Sequence, residues 1–358
     1  MEAIKQPRAK GATRYGNYNN RPGSGQELFQ VHGVDAAGAV VVRKALRRSQ
    51  VLPFFSKLAP CLVGMEACGT SHHWAREIAH LGHQVRLMPP NYVKPYVKRG
   101  KNDANDAEAI CEAVTRPSMR FVAVKSREQQ AALSMHRARD LVVKQRTQLV
   151  NMIRGVLGEF GIDIPVGLER ALIMAREVAE GKDLGIPAEA AQVVLTLSQQ
   201  ALATHLKIRA MERDLLQWHR SNEVSRRLAT IPGIGPIGAS ALVASVSDPR
   251  QFRSGREFAA WLGLTPRQNS SGGKERLGHI TKAGDRYLRK LLFLGMISLV
   301  RCAKRAPETV DPRLLDLLAR KPVRVAAIAL ANKTARIVWA IMTRGDTYRA
   351  GHVPALAA

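Results

Sequence analysis

Apolar positions along the chain change period several times, and each change marks an element. Phe29-Gln-Val-His-Gly-Val34 and Val40-Val-Val-Arg-Lys-Ala45 are rich in β-branched residues, with Asp35-Ala-Ala-Gly38 supplying turn chemistry between them, which predicts a β-hairpin. Cys61-Leu-Val-Gly-Met65 reads as a buried strand. Ser71 is placed to cap a helix whose Trp74, Ile78 and Leu81 share a face, Gly82 ends it, and Gln84-Val-Arg-Leu-Met88 starts a further strand. Strand, helix and strand with short connections make a βαβ unit, so residues 27–125 are expected to form an α/β domain with a mixed sheet.

Residues 126–220 change character. Leu133, Leu141, Val142, Leu149, Ile153 and Leu157 recur at helical spacing among strong helix formers, predicting long antiparallel helices, a coiled-coil arm suited to dimerisation. Pro165, Gly181, Gly185 and Pro187 mark the turn region between them. Residues 221–345 are again helical but studded with glycines, and 346–358 form a tail. The apolar stretch Val323–Ile341 is interrupted by Arg324, Lys333 and Arg336, which favours a core helix over a membrane span. Residues 1–26 hold Lys5, Arg8, Lys10, Arg14 and Arg21 among glycines and asparagines with almost nothing aliphatic, and are expected to be a disordered basic leader.

Charge narrows the partners. Fifty-five Lys and Arg against 29 Asp and Glu leave a formal +26, a surplus that favours a polyanion such as nucleic acid. Residues 221–358 carry 23 of those cations against nine acids, which concentrates the expected nucleic-acid face there. No run reaches the ~18 apolar residues of a membrane span and the leader lacks an apolar signal core, so a cytoplasmic protein without membrane association is expected. The four cysteines are scattered with no C-x-x-C pair, which argues against a disulfide framework or zinc ribbon. Cys68, His72, His73, His80 and His83 crowd together but match no zinc spacing.

Three constellations could carry chemistry. Glu66 follows an apolar strand, at the edge where α/β sheets place their sites, and Asp103 and Asp106 lie three apart where a helix begins, on one face. Hard oxygen donors of this kind suit Mg2+ and phosphoryl transfer; the plainer reading is that the two Asp favour a helix N-terminus. Ile231-Pro-Gly-Ile-Gly-Pro-Ile-Gly238 precedes a helix, so Gly233 and Gly235 could let backbone N–H groups approach a phosphate, as in a helix-hairpin-helix element, or serve as a tight turn. Finally, Ser270 and Ser271 stand in a glycine-rich loop beside Arg267, Lys274, Arg276, Lys282, Arg286, Arg289 and Lys290. A serine attacking a phosphodiester needs nearby cations to stabilise the developing charge, although Ser-Ser-Gly-Gly is also ordinary flexible-loop composition.

In order, Val63-Gly-Met-Glu-Ala-Cys68, Val93-Lys-Pro-Tyr96, Lys101-Asn-Asp-Ala-Asn-Asp106, Ile231-Pro-Gly-Ile-Gly-Pro236 and Gly263-Leu-Thr-Pro-Arg-Gln-Asn-Ser-Ser-Gly-Gly-Lys-Glu-Arg-Leu-Gly278 resemble the DEDD transposases of insertion sequences, a family that includes the Piv-type DNA invertases. The resemblance covers residues 27–345. It implies an α/β ribonuclease H-like, RuvC-like N-terminal domain, a long helical coiled-coil arm, and a mainly α C-terminal transposase domain with a helix-hairpin-helix element. It further implies a recombinase guided by a structured RNA, working with Mg2+ as a homodimer or homotetramer on element and target double-stranded DNA.

Carried onto this chain, Glu66, Asp103 and Asp106 match the second to fourth acidic positions, and the nucleophile corresponds to Ser270 or Ser271, with Ser270 preferred. The place for the first acid, upstream of Phe29, falls on Gly23, so the first strand and its Asp are expected to be missing or replaced through an altered start or frameshift. Asp35 belongs to the hairpin turn and cannot substitute. Two other readings stay open: a Holliday-junction-type metal nuclease using the acids alone, and a catalytically inactive, transposase-derived nucleic-acid binder.

Overall fold

The computed structural model describes residues 12–13, 28–98 and 103–349. The chain divides into two compact units, Met1–Ser126 and Arg127–Ala358.

In the first unit, strand β1 (Ala12–Thr13) precedes the predicted hairpin, formed by β2 (Leu28–Val34) and β3 (Val40–Arg47) in antiparallel register from Leu28↔Arg47 to Val34↔Val40. Its turn has the expected chemistry: the Asp35 carboxylate accepts the Ala37 and Ala39 N–H groups at 2.9 Å, and Gly38 takes a φ of +86°. A short helix α1 (Val51–Phe55) leads to the βαβ unit of β4 (Leu62–Glu66), α2 (Ser71–His80) and β5 (Gln84–Met88), whose strands are parallel. Trp74 and Ile78 are buried as expected. Leu81 is not: it lies beyond the last helical residue, exposed, beside Gly82 at φ +92°. Ser71 is the first helical residue rather than the cap, and its hydroxyl donates to the Cys68 carbonyl.

The expectation of an unstructured leader fails at Ala12–Thr13. β1 pairs in parallel with β4 and gives the order β1-β4-β5, so β4 is flanked on both sides. The reason is general: a buried strand's second edge carries N–H and C=O groups that need partners. The rest of the leader, and Gly23 with it, lies outside the described residues. After α3 (Pro90–Val93), helix α4 (Asp103–Ala113) closes the unit by packing on the sheet at Gly64. A Cβ there would stand 2.9 Å from Val114 and 3.2 Å from Ile110, so only glycine admits the helix this closely.

The second unit opens with α5 (Arg127–Glu159), α6 (Leu168–Ala179) and α7 (Ala188–Ser221). At 33 and 34 residues, α5 and α7 each extend about 50 Å. They run antiparallel, as the pairings Arg139–Glu212 and Arg146–His205 show, and Ile153, Leu157, Ala171 and Ala201 fill the core at the end where α6 joins them. Leu141, one of the apolar residues at helical spacing, is exposed. Sequence reading found no α6, because its twelve residues lie in a stretch read as connection. Then follow α8 (Glu223–Leu228), α9 (Pro236–Ser245), α10 (Gly255–Trp261), the antiparallel strands β6 (Pro266–Gln268) and β7 (Leu277–Ile280), α11 (Arg286–Arg305), α12 (Pro312–Arg320) and α13 (Val323–Arg344). Leu242, Phe258, Leu292, Met296, Ala331 and Val338 make the main core. Among the described residues α13 is the helix long and apolar enough to cross a membrane by length and composition, yet Ala327, Ala331, Ala335 and Val338 are fully buried in that core.

Candidate functional site

The acidic positions sit on rigid elements. Glu66 ends β4, paired with Met88 of β5. Asp103 and Asp106 fall in the first turn of α4 on the stripe that continues through Ile110 and Ala113, and Asp106 is buried. That stripe faces the sheet, since Gly64 meets Ile110; Glu66 is two residues further along the strand, and Asp106 and Asp103 are one and two turns back along the helix. Among the described residues no group of three or more His, Cys, Asp or Glu is gathered closely enough to hold a metal ion. The donors are therefore of the right chemical kind for a hard divalent cation but are not assembled into a three-ligand cluster.

The serines occupy the opposite kind of setting. Pro266 pairs with Ile280 and Gln268 with Leu277, Asn269 N–H donates to the Arg276 carbonyl at 2.9 Å, and Lys274 N–H closes onto the Ser271 carbonyl at 3.1 Å. Gly272 and Gly273, at φ +56° and +76°, supply the two left-handed residues that a tight hairpin turn needs. The glycine-rich serine loop, for which flexible-loop composition was the plainer alternative, is thus a paired hairpin in an otherwise helical unit. Ser270 and Ser271 lie exposed at its tip, and the Ser270 hydroxyl accepts the Arg276 N–H at 3.1 Å. Its root is clamped to the helices. A Cβ on Gly263 would come within 2.5 Å of the Ala283 nitrogen and one on Gly284 within 1.8 Å of the Trp261 carbonyl oxygen, so backbone meets backbone on both sides.

The predicted cations divide on inspection. Arg267, Lys274, Arg276, Lys282 and Arg286 are exposed on the hairpin and at its base. Arg289 is not available for a phosphate: it is half-buried and donates to the Leu262 and Gly284 carbonyls at 3.0 and 2.7 Å, where burial pulls its pKa below the ordinary value. Lys290 is ion-paired with Asp140 of α5 at 3.0 Å. The glycine turn between α8 and α9 also separates into two roles. Gly233, at φ +82°, faces inward, and a Cβ on Gly295 of α11 would lie 1.9 Å from its carbonyl oxygen, so the pair is explained by packing. Gly235 is exposed at the N-cap of α9, just before Pro236.

Two of the crowded histidines serve the fold. His83 is buried, accepting the Cys61 N–H and donating to the Phe55 carbonyl at 3.0 Å, and His72 accepts the Lys125 N–H. A polar centre that sequence reading missed lies in the second unit. His136 of α5 is 1% exposed, between Tyr287 of α11 at 3.2 Å and Ser240 of α9 at 3.1 Å. Burial lowers its pKa to about 4. A signal was present, since His136 follows Ala132 by one helical turn on an apolar face, but its partners are more than a hundred residues away.

Comparison with known proteins gives a consistent picture. Residues 225–311 match the family model described as transposase IS116/IS110/IS902 family, and residues 25–162 match a DEDD transposase model of the IS110 group. The chain is 51% identical over 328 residues to a probable family 20 transposase of Pseudomonas aeruginosa, covering 91% of this chain and 97% of that protein. It is 39% identical to the transposase for insertion sequence element IS1328 of Yersinia enterocolitica, over 90% of this chain and 96% of the relative. A shorter likeness, 35% over 74 residues, links it to the pilin gene-inverting protein of Moraxella bovis, 20% of this chain and 23% of that one.

Proposed function

The chain belongs to the IS116/IS110/IS902 family of insertion-sequence transposases, and on that premise we propose that it cuts and rejoins DNA with a serine nucleophile at the tip of the β6–β7 hairpin. Family membership carries DNA binding, a ribonuclease H-like N-terminal domain and, for a DEDD domain, divalent metal use. The observation that carries the finer reading is the exposed pair Ser270 and Ser271, presented on an ordered turn beside Arg267, Lys274 and Arg276. In the reaction, the serine oxygen forms a bond to a DNA phosphorus, a bridging P–O bond breaks, and the departing DNA oxygen receives the serine's proton as a free hydroxyl end. The exposed cations offset charge on the equatorial oxygens. Ser270 is the preferred nucleophile, because the Arg276 N–H orients its oxygen and leaves the hydroxyl proton free to depart.

Glu66, Asp103 and Asp106 would hold Mg2+, which when bound would supply positive charge to a DNA phosphate held at that unit. A structured guide RNA acting in the cytoplasm belongs to the same reading, supported by the +26 charge. So does a homodimer or homotetramer, supported by the exposed Leu141 and Leu206 on the α5–α7 arm. Alanine at Ser270 and Ser271 separately, followed by a search for covalent protein–DNA adducts on denaturing gels, tests the proposal. Loss of the adduct in one variant is expected, and adduct retained in both ends the serine assignment.

A second reading, an inactive nucleic-acid binder, is favoured by the acids' failure to gather three deep among the described residues. It requires DNA binding without strand exchange when Mg2+ and RNA are supplied. A metal nuclease using the acids alone would instead release cleaved ends with no adduct.

A further inference from the structure

The first turn of α11 is held to α5 at two successive levels. Lys290 donates to Asp140 at 3.0 Å, and one turn back along α5 His136 meets Tyr287 at 3.2 Å. Neighbouring groups fix the polarity of the second link. The Ser240 hydroxyl donates to the Pro236 carbonyl at 2.8 Å, so it accepts from His136 Nε2–H at 3.1 Å. His136 Nδ1 is then the acceptor, and the Tyr287 hydroxyl donates to it. Three residues along α5, Arg139 donates to Glu212 of α7. One directed chain of hydrogen bonds therefore joins α11, α5 and the first turn of α9, and Arg139 separately ties the same stretch of α5 to α7. His136 and Ser240 are shut away from solvent, so water cannot replace a lost partner cheaply.

Tyr287 stands where this chain meets the serine hairpin. The hairpin ends at Ile280, and Asp285 caps α11 by accepting the Tyr287 and Leu288 N–H groups. The intervening residues have little slack: Thr281 and Lys282 N–H donate to the Thr265 and Gly263 carbonyls, and Gly284 lies against the Trp261 backbone. The placement of the first turn of α11 thus sets the direction in which the hairpin points.

We infer that Tyr287 and His136 are positioning residues for the serine hairpin, holding its root to the α5–α7 arm through the Tyr287–His136–Ser240 chain. The catalytic consequence rests on the serine reading proposed above; the coupling itself does not. Tyr287→Phe removes one hydroxyl and little volume. His136→Leu removes both links, whereas His136→Asn keeps an acceptor oxygen near the place of Nδ1.

Hydrogen–deuterium exchange on the full chain tests the coupling, alongside DNA affinity and the single-turnover recombination rate of each variant. In Tyr287→Phe and His136→Leu, amides of residues 266–282 should exchange about tenfold faster while those at the centre of α7 stay as in the parent, since local opening is separable from global unfolding. Recombination should slow by roughly the same factor with DNA affinity unchanged, and His136→Asn should recover most of both effects. Unchanged hairpin exchange in Tyr287→Phe overturns the inference, and so does a rise shared equally by hairpin and α7, which would mark plain loss of packing. If the hairpin loosens as expected but Ser270 and Ser271 both prove dispensable, the serine reading falls and the positioning stands.

Discussion

The β4–α4 edge and the β6–β7 hairpin carry the two sets of residues that could act on a phosphate, and they are built in opposite ways. Glu66, Asp103 and Asp106 are fastened to a strand end and a helix that meets its sheet through Gly64, with Asp106 buried. Ser270 and Ser271 ride on an exposed turn, tied down only at its root. The contrast teaches that burial and chemistry are traded differently at each place. A carboxylate on a packed scaffold is held firmly but has few ways to move toward a partner, whereas a serine on a projecting hairpin can reach into a polyanion and depends on the root for its aim.

The sharpest way to break the comparison is substitution at the chemistry. If the proposed serine mechanism holds, replacing whichever of Ser270 and Ser271 attacks should abolish adduct and reduce recombination by roughly a thousandfold or more, because that mechanism draws the attacking oxygen from the side chain. Asp106→Asn should slow strand cleavage, by roughly a hundredfold on the scale of lost electrostatic stabilisation, while leaving DNA affinity in place. Both are read by single-turnover kinetics, and equal losses of DNA binding in both variants would erase the distinction.

Next come the backbone contacts that hold each scaffold. Gly295→Ala puts a Cβ 1.9 Å from the Gly233 carbonyl oxygen, backbone against backbone, and should cost about 3 kcal/mol or more of stability in urea unfolding. Gly64→Ala meets only the Val114 and Ile110 side chains, at 2.9 and 3.2 Å, and should cost about 1–3 kcal/mol.

A pH effect of similar size belongs to the second unit. The groups around His136 are Arg139 and Asp140 on its own helix, Tyr287 on α11 and Ser240 on α9. Its pKa is lowered from 6.5 to about 4, chiefly by burial and then by Arg139, so the folded state favours the neutral ring. Its contribution is whole above pH 6.5, falls as pH drops through the unfolded value, and levels off below about 4, a loss of about 3 kcal/mol. Urea midpoints at pH 7 and 4.5 should therefore differ less in His136→Asn than in the parent.

The smallest expected effect separates exposed from occupied cations. Lys274→Ala should lower the slope of log affinity against log salt by about 1, as for a lost phosphate contact, while Lys290→Ala, already paired with Asp140, should leave that slope unchanged.

Much of the architecture was legible where the cue was local. The β2–β3 hairpin follows from β-branched runs around Asp35 and Gly38, and α5 and α7 from long runs of strong helix formers, with apolar helical spacing in α5. What escaped notice depended on partners far along the chain. Arg289 and Lys290 look like their neighbour Arg286 in sequence, yet Arg289 spends its guanidinium on two carbonyls and Lys290 on an acid of another helix. Glycine-rich composition around Ser270 left a phosphate-handling loop and a plain flexible loop both open, and it was cross-strand pairing that made the segment a hairpin.

By itself, the sequence determined the strongly basic character, the strand–helix–strand pattern, the long helices, and the acidic and serine positions, because charge, periodicity and turn chemistry are properties of neighbouring residues. The tertiary structure alone decided that Ala12–Thr13 flank β4, that Gly233 exists to let Gly295 pass, which cations face solvent, and that His136 joins three helices. The physical reason is that burial and hydrogen-bond partnership are set by what folds against a residue, and those surfaces come from segments that no local pattern identifies.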